Sequence, residues 1–92
     1  MPYRIVYVPE ARQHLRALTA RQRSMVFDQV DAQLIDVPEV ETKNRKRLRP
    51  NPVAPWELRI GALRVYYDVR DPEVVFILAV GMKRGNRVFI AG

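Results

Sequence analysis

Arg59 and Arg64 are the residues here whose type and spacing suggest chemistry first. They flank Gly61-Ala62, a pair that reads as a two-residue hairpin turn with glycine at its first position, as type II′ requires. In that register Ile60 faces Leu63, Arg59 faces Arg64, Leu58 faces Val65 and Glu57 faces Tyr66. One face of the hairpin is then apolar (Trp56, Leu58, Ile60, Leu63, Val65, Tyr67), and the other sets two guanidinium groups opposite each other. Like charges directly across a strand pair repel. An anion would relieve them, and two planar forks suit a phosphate. The alternative is that both arginines extend into water, balanced by Glu57 and Asp68 on the same face.

Tyr66 shares the arginine face and could stack on a base or hand over a proton; the alternative is an ordinary sheet tyrosine. Two further basic elements stand out. Lys43-Asn44-Arg45-Lys46-Arg47-Leu48-Arg49 holds five cations and no acid, and reads either as part of a polyanion footprint or as a solvated loop. Lys83, Arg84 and Arg87 form a basic turn. Convergence of the three on one face would suit a phosphate backbone. His14, the one histidine, sits at the border of an apolar stripe and reads as a boundary residue. No histidine or acidic cluster has metal-ligand spacing, and no glycine-rich phosphate loop or nucleophile triad appears. With no cysteine, disulfides, thiolate zinc sites and a cysteine nucleophile are excluded.

Charge supports the same direction. The 92 residues carry a net +6, of which residues 38–92 supply +5. Such a balance favours nucleic acid or an acidic protein as partner, although many basic proteins carry charge only for solubility. The length predicts a single domain over 1–92, and 48% hydrophobic residues suffice for one core. The N-terminus lacks a signal-peptide pattern and the longest apolar run, around 74–82, is short of a bilayer span, so a cytoplasmic, non-membrane protein is expected.

The elements that must position these residues follow from periodicity. Residues 3–8 alternate as a strand. Pro9 and Glu10 open a helix with Ala11, Leu15 and Leu18 as its stripe, giving a span of about 10–20. Thr19-Ala20-Arg21-Gln22 matches a capping box, so a second helix over about 21–37 follows, with Val26, Val30, Leu34 and Val37 inward, Phe27 widening the stripe and Pro38 as stop. The proline-rich segment 38–55 reads as a loop, with a short strand at 46–49. Strands at 56–60, 63–69 and 74–81 follow, with a turn at Arg70-Asp71-Pro72-Glu73 and a last short strand near Val88-Phe89-Ile90. The expected fold is α+β, βααβββ: two antiparallel helices on one face of an antiparallel sheet of about four strands.

The stretch Trp56-Glu57-Leu58-Arg59-Ile60-Gly61-Ala62-Leu63-Arg64-Val65-Tyr66-Tyr67-Asp68-Val69, followed by Val74–Val80 and Gly81-Met82-Lys83-Arg84-Gly85-Asn86-Arg87, resembles the RelE/ParE superfamily of type II toxin–antitoxin toxins. The resemblance extends over nearly the whole chain. It implies a cognate antitoxin as partner. It also implies one of two targets: mRNA in the ribosomal A site, cut without metal or cofactor, or DNA gyrase, inhibited without cutting. A third option is an inactive, antitoxin-binding relative. By this resemblance Arg64, Arg59 and either Lys83 or Arg84 hold and activate the scissile phosphate, with Tyr66 as a substitute proton carrier; the clustered charge of Lys43, Arg45, Lys46, Arg47, Arg49 and Arg87 makes them the expected RNA contacts. The family's C-terminal tyrosine position falls on Phe89, which exchanges no proton.

Overall fold

A computed structural model describes residues 2–70 and 72–90 of the chain. The elements run β1 (Arg4–Tyr7), α1 (Pro9–Arg16), α2 (Ala20–Leu34), β2 (Arg45–Arg47), β3 (Trp56–Ile60), β4 (Leu63–Arg70), β5 (Val74–Arg84) and β6 (Arg87–Phe89). The expected turn after Arg70 includes Asp71, which lies outside the described residues; Glu73 beyond it has a positive φ of 52°.

The helical joint is fixed by local chemistry. Thr19 Oγ1 accepts from the Gln22 amide at 3.1 Å, and Gln22 Oε1 accepts from the Thr19 amide at 2.9 Å, the reciprocal capping box. This cap begins α2 at Ala20 and leaves α1 only eight residues, shorter than the expected 10–20. The guanidinium of Arg23 donates to the carbonyls of Leu15 and Leu18 at 3.2 and 2.6 Å, occupying oxygens that the end of α1 leaves free. At its other end α2 stops at Leu34 rather than near residue 37. Pro38 disfavours helical backbone at the residue before it, and the Tyr3 amide takes the Ile35 carbonyl at 2.7 Å. Val37 is therefore 48% exposed and not part of the inward stripe.

The sheet has six strands, in the order β1-β5-β4-β3-β2, with β6 also pairing β5. It is mixed rather than all antiparallel, because β1 runs parallel to β5. The chain leaves β1 through both helices and returns to β5 only after about 70 residues, so no local pattern announces this pairing. β2 and β6 have three residues each, enough to pair but little more.

Alternation sorts the sheet into two faces. Trp56, Leu58, Ile60, Leu63, Val65, Tyr67, Val75, Ile77 and Val80 pack with Ala11, Leu15, Val26, Val30 and Leu34 beneath the helices. Tyr67 is fully buried, stacks on Trp56 with centroids 5.9 Å apart, and donates its hydroxyl to the Pro38 carbonyl at 2.7 Å. On the opposite face a smaller cluster gathers Ala54, Tyr66 and Ala79 with Leu48, Leu78 and Val88. The β4–β5 register shifts between Tyr66 and Tyr67: Tyr66 faces Ala79 while Tyr67 faces Ile77, so Leu78 is an extra, bulged residue.

Candidate functional site

The β3–β4 hairpin has the expected register, with Arg59 opposite Arg64 and Glu57 opposite Tyr66. Gly61 takes φ 58° and Ala62 does not turn positive, as a type II′ turn demands. The two arginines avoid each other in different ways. Arg59 donates from Nε to Glu57 Oε1 at 2.8 Å, with its side chain 46% exposed. Arg64 is only 8% exposed and curls toward the turn, where Nη1 donates to the carbonyls of Gly61 and Leu63 at 2.6 and 2.9 Å. Among the described residues it forms no ion pair. Its Nε and Nη2 have no protein acceptor, yet no buried side-chain nitrogen or oxygen lacks a partner among the described residues. These two groups are therefore not wholly enclosed, in a side chain that alternation places on the face away from the helices. A largely buried cation without a counter-ion is costly, and a bound anion would offset that cost.

Lys83 joins this corner of the sheet: its amide donates to the Ala62 carbonyl at 2.7 Å, and its position two residues after Gly81, the register partner of Arg64, puts it on the same face. Arg84 alternates to the helix side, where its guanidinium lies 5.9 Å over the Phe89 ring, in a groove that includes His14 and Gln22. Of the two basic residues after the glycine, Lys83 shares the face of Arg64 and Arg84 does not. Phe89, the register partner of Met82, also lies on the helix side. The residues that close over Gly81 are Val88 and Ile90: a Cβ added there would sit 2.9 and 3.0 Å from their side chains and 2.8 Å from the Phe89 carbonyl, so only glycine fits.

Tyr66 is 8% exposed, packed among Ala54, Leu78 and Val88. Its ring is too buried to stack on a base, which corrects that expectation. Burial first, and then the Glu57 carboxylate, push its hydroxyl up to about 12 against the opposing pull of Arg64 and Arg59. It stays protonated at neutral pH, a hydrogen-bond donor rather than a base.

The 43–49 run splits three ways. Lys43 is exposed in the loop, and Lys46 lies opposite Glu57 on the face of Arg59. Arg45 is 7% exposed and donates to the carbonyls of Val40 (2.9 Å) and Gln33 (2.7 Å) and to Gln33 Oε1 (3.2 Å). It closes the C-terminal end of α2 and is unavailable to RNA, a correction to its expected role. Arg47 sits 5.5 Å over Trp56, and Arg49 is exposed beyond the strand, toward Arg70. Arg87 is exposed in the β5–β6 turn. The basic elements thus do not all meet on one face: Arg59, Arg64, Lys83 and Lys46 do, while Arg84 does not. Arg70 was missed by sequence reasoning, although it alternates in phase with Arg64, Tyr66 and Asp68. His14 has a structural role also missed: its Nδ1 accepts the Val80 amide at 3.2 Å, where the β5 edge is free between β1 and β6.

No protein-family model matches the chain, and no curated protein does. Among solved structures it is similar to a chain of the RelBE2 toxin–antitoxin complex from Mycobacterium tuberculosis. The TM-score is 0.73 at 26% identity, covering 90% of this chain and 100% of that one. Among the described residues no helix is long and apolar enough to cross a membrane.

Proposed function

We propose that this chain, a domain of the RelE/ParE superfamily, is the toxin of a type II toxin–antitoxin pair and cuts mRNA on the ribosome without a metal. The observation that carries this reading is Arg64: a largely buried guanidinium, held by two turn carbonyls, with no carboxylate partner among the described residues and with two donor groups that have no protein acceptor there. In the proposed reaction the ribose 2′-OH attacks the adjacent phosphate and gives its proton to water, the 5′-oxygen of the next nucleotide leaves and takes a proton from water, and a 2′,3′-cyclic phosphate remains. Arg64 and Lys83 stabilise the charge that gathers on the phosphoryl oxygens, a contribution of about 3 kcal/mol for one well-placed donor. Arg59, tethered to Glu57, supplies a second guanidinium on the same face. His14, the one histidine, lies on the helix side of the sheet, away from Arg64. The ribosome's alignment of the mRNA for in-line attack then supplies much of the rate, an entropic contribution. The similarity to a toxin–antitoxin complex supports an antitoxin as partner. An acidic, apolar segment folding on binding would mask the basic face.

Incubation of the purified protein with programmed ribosomes, followed by mapping of mRNA ends, tests this reading. Cuts confined to ribosome-bound message support it. A second reading, a non-catalytic gyrase inhibitor, is favoured by Phe89 facing away from Arg64 and by the high pKa of Tyr66. Intact mRNA together with inhibited supercoiling by purified gyrase would select it.

A further inference from the structure

We propose that the cleft between the 48–55 loop and the far end of β4 is a second phosphate subsite, which holds the RNA backbone downstream or upstream of the Arg64 corner. The proposal deepens the RNA-cutting reading and rests on it. The cleft encloses about 520 Å³ and is lined by Arg47, Arg49, Asn51, Asp68, Arg70 and Leu78. The guanidinium groups of Arg49 and Arg70 meet one carboxylate, and that carboxylate is already engaged: Arg70 Nε donates to Asp68 Oδ2 at 3.0 Å. The same guanidinium lies 5.0 Å over the Phe76 ring, so its plane is set from two directions while its terminal nitrogens have no protein acceptor among the described residues. Arg49 has no side-chain hydrogen bond among the described residues; Arg47 borders the cleft, but its guanidinium lies over Trp56 on the helix side.

The opposite wall is preorganised. Asn51 Nδ2 donates to the carbonyls of Arg49 (2.7 Å) and Ala54 (2.8 Å), and its Oδ1 accepts from the amides of Val53 (2.8 Å) and Ala54 (3.1 Å). Pro50, Pro52 and Pro55 stiffen the same loop. A rigid, cationic wall loses little entropy on binding an anion. The cleft also lies in line with the first site. Arg64, Tyr66, Asp68 and Arg70 share one side of β4, so its near wall at Asp68 is four residues, or about 13 Å, from Arg64. Lys46 is level with Tyr66 but two strands over, on β2. A single strand of RNA laid along β4 would meet a cation at each end and pass the apolar cluster around Tyr66 between them, whereas a lone inorganic phosphate would use only one end.

The test uses non-cleavable, 2′-O-methylated oligoribonucleotides of about 2 and about 12 residues, with affinity read by fluorescence anisotropy. The protein carries Arg49→Ala with Arg70→Gln, or Arg64→Lys alone. All three of the replaced side chains leave the helix-side core intact, and melting curves verify the fold. The double variant is expected to bind the longer oligonucleotide roughly tenfold more weakly, with a log–log salt slope lower by about 0.7 for each phosphate it no longer neutralises. Its affinity for the short one should hardly change, and Arg64→Lys should weaken both. Unchanged affinity for the longer strand in the double variant overturns the subsite. So does a double variant that keeps RNA affinity but no longer binds the antitoxin, which would assign the cleft to an acidic peptide. Binding that responds to Arg49 and Arg70 but not to Arg64 would instead retain the cleft and remove the Arg64 reading beneath it.

Discussion

Arg45 and Arg64 are both less than a tenth exposed, and they differ in what their guanidinium groups meet. Arg45 spends Nε and Nη1 on three oxygens at the end of α2 and in the loop that follows. Arg64 spends Nη1 alone. The first is a structural staple; the second, on the proposed reading, is a donor held for a phosphate. Arg45→Met should therefore destabilise the fold by about 2 kcal/mol, because buried carbonyls lose charged donors, and urea unfolding would read it. RNA affinity of the folded fraction should not change; a fall in that affinity with stability intact would return Arg45 to the binding surface. Arg64→Ala should cost less. Its hydrogen bonds to Gly61 and Leu63 contribute roughly 1 kcal/mol, offset in part by relief of a buried charge. Sequence reading gave both arginines a part in meeting RNA, Arg64 at the scissile phosphate and Arg45 along the basic run. The carbonyls that absorb Arg45 come together only once α2 has ended and the loop has folded back.

At the scale of elements, the β3–β4 hairpin was legible because a glycine turn and strict alternation fix register locally. The capping box was legible for the same reason, and Thr19→Ala should cost about 1 kcal/mol in thermal or urea unfolding; no loss would mean that Gln22 alone holds the joint. The β1–β5 pairing was not legible, since it joins residues some 70 apart and its direction depends on how the helices return the chain. The break between β1 and β6 is bridged by His14, which must be neutral at Nδ1 to accept the Val80 amide. Burial holds its pKa below the usual value, against the opposing pull of Glu10. The unfolded chain therefore takes up a proton near the ordinary histidine value while the folded chain still resists. His14 thus contributes stability above that value that is lost as pH falls below it. Unfolding free energy measured from neutral pH downward should decline through this window, and His14→Gln should flatten that part of the profile. An unchanged slope in the variant would assign the acid sensitivity to the carboxylates.

The whole molecule presents helices on one side of its sheet and a basic corner on the other, with a small apolar cluster between that corner and the 48–55 cleft. Net charge of +6 suggests a polyanion partner from composition but says nothing of where it would bind, because the basic run at 43–49 divides between both faces and the interior. Replacing Lys46 and Arg59 by Gln should lower the salt slope of RNA binding by about 0.7 for each phosphate left unneutralised, for all sequences alike. A slope that does not move would leave those two side chains in water. The proposed mechanism stands or falls on Arg64 acting at a scissile phosphate. Its sharpest test is the single-turnover rate of mRNA cutting on programmed ribosomes by the wild-type protein, Arg64→Lys and Arg64→Ala, each first shown to be folded and to bind the antitoxin. The wild type should cut, Arg64→Ala should lose roughly a hundredfold or more in rate, and Arg64→Lys, whose ammonium lacks the planar fork, should recover part of it. A folded Arg64→Ala protein that cuts at the wild-type rate, or a wild-type protein that leaves ribosome-bound mRNA intact, would contradict this mechanism.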